Sequence, residues 1–257
     1  MVARLALIAF ALVVLSPAAT AGTGPAAAHL CLEQMATARQ LWQHDLYDAP
    51  PAVAAVMVDA IDGRLPQVRR GLAALPSDQQ ARWRQLAMLT AAWSHQPSVV
   101  EGLLDEGAAV DGKAWLPPVK PAFDRQALDA TGRDPRFGGP ATVKSLQSAG
   151  IVGNRGQQLG PALLAASGCN DVATLDVLLR HHADVMLRAP HSADALTVAV
   201  VNGEAGIARH LLDHGADVCA DDRRIPRPDT TLAGIGRRKR LPDALVQRLT
   251  CPGPTAR

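Results

Sequence analysis

Apolar residues recur along most of the chain in short runs, separated by turns that contain glycine, asparagine or aspartate. The run at residues 195–199 is followed by the turn Asn202-Gly203, and the pair Leu211-Leu212 then precedes a second turn at residues 215–218. A short apolar stretch, a polar turn, helical leucine spacing and a glycine turn together predict a helix-turn-helix followed by a loop. The pattern therefore predicts an all-α protein built from helix pairs.

This unit is repeated along the chain. The leucine pair and exit turn at residues 178–185 recur at residues 211–218, which is an offset of 33, and a third copy lies upstream at residues 103–110. One helix pair cannot bury its own apolar face, so at least about three units must stack to form a core. We therefore predict a solenoid of stacked helix pairs.

The repeated residues resemble those of ankyrin-repeat proteins. The matching pieces are the first-helix entry at residues 195–199, the turn Asn202-Gly203, the pair Leu211-Leu212 and the closing Gly-Ala-Asp-Val at residues 215–218. The family's Thr-Pro-Leu-His opening is replaced, for example by Asp-Ala-Leu-Thr at residues 194–197. The resemblance implies an ankyrin-type helix-turn-helix solenoid that binds another protein and is not an enzyme.

The repeat domain is expected to cover residues 51–249 with about five to six repeats. An N-terminal helix or cap is expected at residues 22–50, and a C-terminal tail at residues 250–257. The first unit is predicted at residues 51–77 and a truncated capping unit at residues 230–249, with Pro242 near the start of its last helix. The N-terminal helix is expected to act as a cap because terminal units need a polar outer face.

One further unit is predicted between the copy that ends at Val110 and the copy that begins near Pro161. Residues 143–152 resemble a second helix and its exit, and Val152 lies one period before Val185. The Gly, Pro and Asp content of residues 131–140 indicates a loop inserted between the two helices of that unit.

The N-terminus has the order of a secretory signal. Arg4 precedes an apolar run at residues 5–15, and small residues then lead to a predicted cleavage site after Ala21, so residues 1–21 form the signal peptide. Eleven apolar residues are too few to span a bilayer, although a membrane anchor or a buried helix is the alternative. The mature chain is therefore expected in the bacterial periplasm or secreted, without stable membrane insertion.

Charge and composition limit the kinds of partner that we expect this protein to bind. The formal net charge is +2 and aromatic residues are few, at 3 % of the chain. Affinity for nucleic acid rests on many neutralised phosphates and on base stacking, so we expect no nucleic-acid partner. The spacing of Gly107, Gly112 and Lys113 matches a phosphate loop, but Ala114 stands where a hydroxyl should hold magnesium. We expect no cofactor.

The cysteines fit an oxidising compartment, because all four follow the predicted signal peptide. Cys219 directly follows the last clear exit turn and Cys251 directly follows the final predicted helix. A bridge between them would join the capping unit to its neighbour, and we prefer that pairing. For Cys31 and Cys169, free thiols and an unexpected packing of the N-terminal segment both stay open.

Histidines and one basic run are the remaining candidates for chemistry. His181, His182, His210 and His214, with aspartates nearby, are compatible with a surface zinc or copper site or with solvated helix ends; we expect no metal. The basic run at residues 237–240 is compatible with docking to an acidic partner or anionic membrane, or with a solvated linker. We find no spacing that defines catalytic residues.

Partner contacts are expected on the exit loops and the concave side of the solenoid. Trp93 and Trp115 are either aromatic anchors for a partner or fillers of gaps between small alanine side chains. The candidate partner-binding residues are Trp93, Lys113, Trp115, Asn154, Arg155, Arg188, His191, Arg223 and Arg224.

The sequence thus favours a non-enzymatic, monomeric protein-binding module of the bacterial periplasm. Two other functions stay open: an immunity or inhibitor protein that neutralises a toxic enzyme, and an envelope stress or metal-handling factor.

Overall fold

A computed structural model describes residues 38–43, 47–118, 158–187, 193–219 and 231–251. In these ranges the chain is helical apart from turns and one pair of two-residue strands, so the predicted all-α class is confirmed. The helices are α1 (Pro51–Ile61), α2 (Leu65–Ala73), α3 (Ser77–Trp93), α4 (Pro97–Asp105), α5 (Ala162–Gly168), α6 (Val172–Arg180), α7 (Ala195–Asn202), α8 (Ala205–Asp213), α9 (Leu232–Arg238) and α10 (Asp243–Arg248).

The helices form antiparallel pairs that are connected by short turns. In each pair the turn between the two helices contains one residue with a positive φ angle, which reverses the chain before the second helix begins. These residues are Gly63, His95, Asn170, Gly203 and Arg240. Side-chain caps then fix several helix starts, because Asp171, Asp194 and Thr231 accept hydrogen bonds from the N–H groups of Thr174, Thr197 and Gly234.

The pairs stack in chain order into one solenoid. The first helices contact one another in the sequence α1, α3, α5, α7 and α9. Small residues permit this close approach: every residue of α5 is buried. The core is continuous along the stack, and its largest fully buried side chains include Leu86, Leu103, Leu163, Leu178, Leu196 and Leu211. The structure therefore has the ankyrin-type helix-turn-helix repeat architecture.

The helix pairs on either side of the unit expected between Val110 and Pro161 are direct neighbours in the stack. Residues 143–152 lie outside the described ranges, but α3 packs directly on α5 and α4 on α6. Arg180 of α6 also donates to Glu101 of α4 at 2.7 Å. These direct contacts leave no room for an intervening helix pair, so that expectation is wrong. The described residues contain five helix pairs, at the lower end of the expected range.

The described residues on either side of this gap in the described ranges lie next to each other. Strand β1 (Ala114–Trp115) follows the exit turn of α4, and β2 (Gln158–Leu159) precedes α5. The two strands pair antiparallel, with Ala114 opposite Leu159. An exit loop closed by such a pair accepts a long insertion without separating the repeats on either side.

The N-terminal end of the solenoid is covered by the preceding chain. Residues 38–43 are helical, and Leu41 and Trp42 are buried against the core. Arg39 forms a bidentate pair with Asp62, at 2.7 and 2.8 Å, on the turn of the first unit. The cap expected at residues 22–50 stays a prediction, because residues 22–37 and 44–46 lie outside the described ranges. The predicted signal peptide lies outside the described ranges.

At the C-terminal end, α9 and α10 form the expected truncated unit. The preferred disulfide between Cys219 and Cys251 is present, with their Cα atoms 5.1 Å apart. Cys169 is also disulfide-bonded, which removes the free-thiol alternative for that residue; its partner lies outside the described ranges. In the described part of the chain, no helix combines the length and apolar character needed to cross a membrane.

Candidate partner-binding surface

The exit turns and β1 lie at one end of the helix pairs, and we call this side of the solenoid the exit-turn edge. On it, Trp115 is 57 % exposed and Lys113 is exposed. Strand alternation explains the exposure of Trp115, because its neighbours Ala114 and Leu116 turn toward the core. The structure thus places a large aromatic side chain in solvent beside a lysine.

The backbone that carries these two residues is held firmly. Gln85 of α3 makes two hydrogen bonds to Ala109, accepting from its N–H at 2.8 Å and donating to its carbonyl at 3.0 Å. Gly112 fits against the same amide, since a Cβ there would lie only 2.6 Å from the Gln85 Nε2 atom. Beyond β1, the Pro118 carbonyl accepts from the Asp48 N–H at 2.8 Å. Trp115 therefore sits between two anchored points.

The same position of the repeat makes contacts between neighbouring exit turns in three units. The residue at this position is Asp111, Met186 or Cys219. The Asp111 carboxylate accepts from the Asp184 N–H at 3.1 Å, and the Met186 sulfur lies 3.3 Å from the Asp217 nitrogen, so each contacts the next unit. Cys219 makes the equivalent link as a disulfide. Burial raises the pKa of Asp111 and is the largest contribution to the shift. The hydrogen bond from the Asp184 N–H acts in the opposite direction and lowers the pKa.

The other predicted contact residues are distributed differently. Trp93 is the last residue of α3 and is half-buried, at the end of the helix pair opposite to Trp115. The two tryptophans are therefore not brought together on one surface. Six further candidates lie outside the described ranges: Asn154, Arg155, Arg188, His191, Arg223 and Arg224.

The histidines lie on the outer, second-helix side of the solenoid. His210 Nε2 is 2.6 Å from Asp176 Oδ1, and His181 Nε2 is 3.7 Å from Asp105 Oδ1. Each pair joins the second helices of adjacent units, and the rings of His210 and His214 stack with centroids 5.0 Å apart. No group of three or more metal-ligating side chains occurs in the described ranges. His181 and His210 thus lie beside carboxylates of neighbouring repeats.

Arginines continue this outer series of contacts, which the sequence did not reveal. Arg69 of α2 pairs with Glu106, which ends α4. Arg248 of α10 reaches Asp213 of α8 at 2.7 Å. Such pairs have no local sequence signal, because their two members are separated by 35 or more residues and meet only when the units stack.

The segment with phosphate-loop spacing serves as an exit turn. Gly107 has a φ angle of +90° and lies in the turn that follows α4. Lys113 leads into β1, and a phosphate loop instead requires a helix whose first N–H groups face the phosphates. The geometry therefore provides no phosphate cradle at these residues.

The class defined by this geometry is an all-α, ankyrin-type repeat solenoid. No protein-family model matches the sequence, and a search of curated proteins finds no match. Among solved structures, the human ASB11 ankyrin repeat domain is similar, with a TM-score of 0.43 and 16 % identity. The match covers 76 % of this chain and 66 % of that chain, so this protein spans just under two thirds of that domain.

Proposed function

We propose that the protein is a non-enzymatic binding module of the bacterial periplasm, and that it binds another protein through its exit-turn edge. The observation that carries the proposal is Trp115, a largely exposed tryptophan on a backbone fixed by Gln85, Asp48 and the β1–β2 pair. Tryptophans and arginines dominate binding energy at protein interfaces.

The rigidity of the edge favours binding without rearrangement. Association loses affinity when loops and side chains must be ordered, and a preformed surface avoids much of that cost. Here the exit turns are already connected through Asp111, Met186 and the Cys219–Cys251 bridge. A rigid row of turns with one protruding aromatic side chain suits recognition of a folded partner.

Export is supported by two independent features. The first 21 residues have the order of a cleaved signal peptide. The chain also forms the Cys219–Cys251 disulfide, which persists in oxidising compartments. Fractionation of bacteria that express the full chain should recover a shortened, disulfide-bonded protein with the periplasmic contents. Recovery of the full-length, reduced chain from the cytoplasm would contradict this location.

Site-specific crosslinking tests the surface. A photo-reactive amino acid at position 115 should capture one defined protein in cells, whereas the same group at Arg209, which is exposed on the outer side of α8, should not. With the captured protein purified, Trp115→Ala should weaken binding at least about thirtyfold, which corresponds to an interface hot spot of about 2 kcal/mol.

A matched control is Val172→Ala, since Val172 is also an exposed large hydrophobic residue but begins α6, away from the exit-turn edge. This variant should bind normally. Equal crosslinking from positions 115 and 209, or equal affinity of the two alanine variants, would refute the proposed surface. If the captured protein is a toxic enzyme that loses activity in the complex, the module acts as its inhibitor.

A further inference from the structure

A second charged surface lies at the opposite end of the helix pairs. Arg237 and Arg238 end α9, and Lys239 and Arg240 form the turn before α10; all four are exposed. We call these four residues the basic turn. It belongs to the row of inter-helix turns, whereas Trp115 and Lys113 belong to the exit-turn edge.

Three cations of the basic turn, Arg237, Lys239 and Arg240, have no acidic partner in the described part of the chain. Arginines that join units or turns do have such partners: Arg39 with Asp62, Arg180 with Glu101 and Arg248 with Asp213. For Arg237, Lys239 and Arg240, no described carboxylate lies within ion-pair distance. Their charge is therefore available to a ligand.

Arg240 occupies a conformation that does not suit its side chain. Its φ angle is +57°, and the matching turn residues of the other four pairs, Gly63, His95, Asn170 and Gly203, also have positive φ angles. Left-handed backbone is unfavourable for a long L-residue, and strained positions persist where the side chain has a use. The turn geometry of the repeat therefore fixes the backbone that carries the exposed Arg240 side chain.

Lys239 is positioned by its neighbour in the stack. A Cβ at Gly203 would lie 3.9 Å from both Cβ and Cδ of Lys239, so the aliphatic part of the lysine lies over the preceding turn. This contact restricts the side chain and directs the charge away from the core. Lys239 and Arg240, which are adjacent in sequence, are thus exposed together on the basic turn.

We propose that the basic turn docks an acidic segment of a protein partner, a run of aspartate and glutamate side chains, separately from the exit-turn edge. An arginine guanidinium group can donate two parallel hydrogen bonds to one carboxylate, as Arg39 does to Asp62 in this chain.

A membrane surface fits less well, because stable attachment needs an inserted apolar group besides charge. The apolar residues next to the basic turn, Leu232 and Leu241, are buried. The exposed large hydrophobic residues of the described ranges are Trp115 and Val172, and neither belongs to α9 or α10. The surface therefore offers charge alone, which favours a flexible acidic peptide.

The test uses the purified, disulfide-bonded protein and a fluorescent acidic peptide of alternating Asp, Glu and Gly. Fluorescence anisotropy should show binding that weakens with salt, and no binding of the matching Asn, Gln and Gly peptide. The double variant Lys239→Gln/Arg240→Gln should lose at least about tenfold in affinity. The matched control is Arg70→Gln/Arg209→Gln, which removes two exposed cations of the outer helices that form no ion pair with a described residue, and it should bind within about twofold of wild type.

A single variant separates docking from folding. Arg240→Gly removes the strain at the positive φ angle and should raise Tm by about 2 °C while it weakens peptide binding. The proposal fails if both double variants lose affinity equally, if the amide peptide binds as well, or if phosphatidylglycerol vesicles bind better than the acidic peptide. Because Trp115→Ala should leave peptide binding unchanged, failure here is distinct from failure at the exit-turn edge.

Discussion

Glu204 carries a carboxyl group that the fold buries without a partner. The residue lies between Gly203 and the first residue of α8 and is only 2 % exposed. Its Oε1 atom has no hydrogen-bond partner, and the side chain does not cap its helix. The equivalent residue of the preceding unit, Asp171, caps α6 through the Thr174 N–H and lies 3.8 Å from His95. Among the described residues, no comparable group stabilises the charge of Glu204.

Burial raises the pKa of Glu204 from 4.5 to about 7. The folded protein therefore binds one more proton than the unfolded chain between these two pH values, and its free energy of unfolding falls as the pH rises between them. Below pH 4.5 both states are protonated, and above pH 7 both are ionised. A shift of this size corresponds to a loss of about 3 kcal/mol across the window.

Glu204→Gln should abolish this part of the pH dependence, because the amide stays neutral. The variant should match wild type near pH 4 and be more stable by up to about 3 kcal/mol at pH 8. Urea denaturation followed by circular dichroism, with the disulfides intact, measures the difference. The control Glu101→Gln alters an exposed carboxylate paired with Arg180 and should give the wild-type pH dependence.

The decisive comparison is the difference between wild type and Glu204→Gln as a function of pH. Other groups, including Asp111 with its raised pKa, contribute equally to both proteins and cancel. If the two stability curves run parallel from pH 4 to pH 8, the burial of Glu204 has no electrostatic consequence and the reasoning is refuted.

Three further predictions concern the disulfide of the C-terminal unit, the exit-turn edge and helix α8. The double variant Cys219→Ser/Cys251→Ser should lower the free energy of unfolding by about 3 to 4 kcal/mol. Hydrogen exchange followed by mass spectrometry should show faster amide exchange in α9 and α10 but not in α1. Faster exchange in all helices would contradict a local role of the disulfide. Gly112→Ala should lower the free energy of thermal unfolding by about 1 to 3 kcal/mol, because the added Cβ would collide with the Gln85 side chain. An unchanged Tm would show that the exit turn moves to accept the methyl group without loss of stability. Gly206→Ala, in α8 with open space around it, should instead stabilise by about 0.5 to 1 kcal/mol; a loss in the same assay would argue against that helix boundary.

Local signals in the sequence were sufficient for the helix pairs. The leucine pairs, the turns at Gly203 and Gly215 and the position of Pro242 before α10 all act within one unit, so their effect is readable without a structure. The same holds for Cys219 and Cys251, which follow structural elements of adjacent units.

Contacts between units were harder to foresee. Chain spacing placed an additional unit after Val110, but stacking depends on which apolar faces fit, and α3 fits directly on α5. The burial of Glu204 was missed for a similar reason, since its position beside a glycine turn is typical of an exposed residue. Its environment is defined by how the units pack, and no pattern within its own unit indicates that.

The ion pairs between second helices have a direction along the stack. From α4 onward the acid belongs to the earlier unit and the base to the later one: Glu101 with Arg180, Asp176 with His210 and Asp213 with Arg248. Exposed pairs contribute little stability, about 0 to 1 kcal/mol each. A unit stacked in the opposite direction would place acid against acid and base against base, so we infer that these pairs favour a common stacking direction more than they add stability.

The terminal unit shows where such weak contacts are insufficient. Each internal unit is stabilised by neighbours on both sides, whereas the α9–α10 pair has a described neighbour on one side only. At the repeat position where Asp111 and Met186 make non-covalent contacts with the next unit, this last junction has the Cys219–Cys251 bond. The covalent link thus occurs at the unit that stacking stabilises least, and the basic turn that this unit carries is held in place by it.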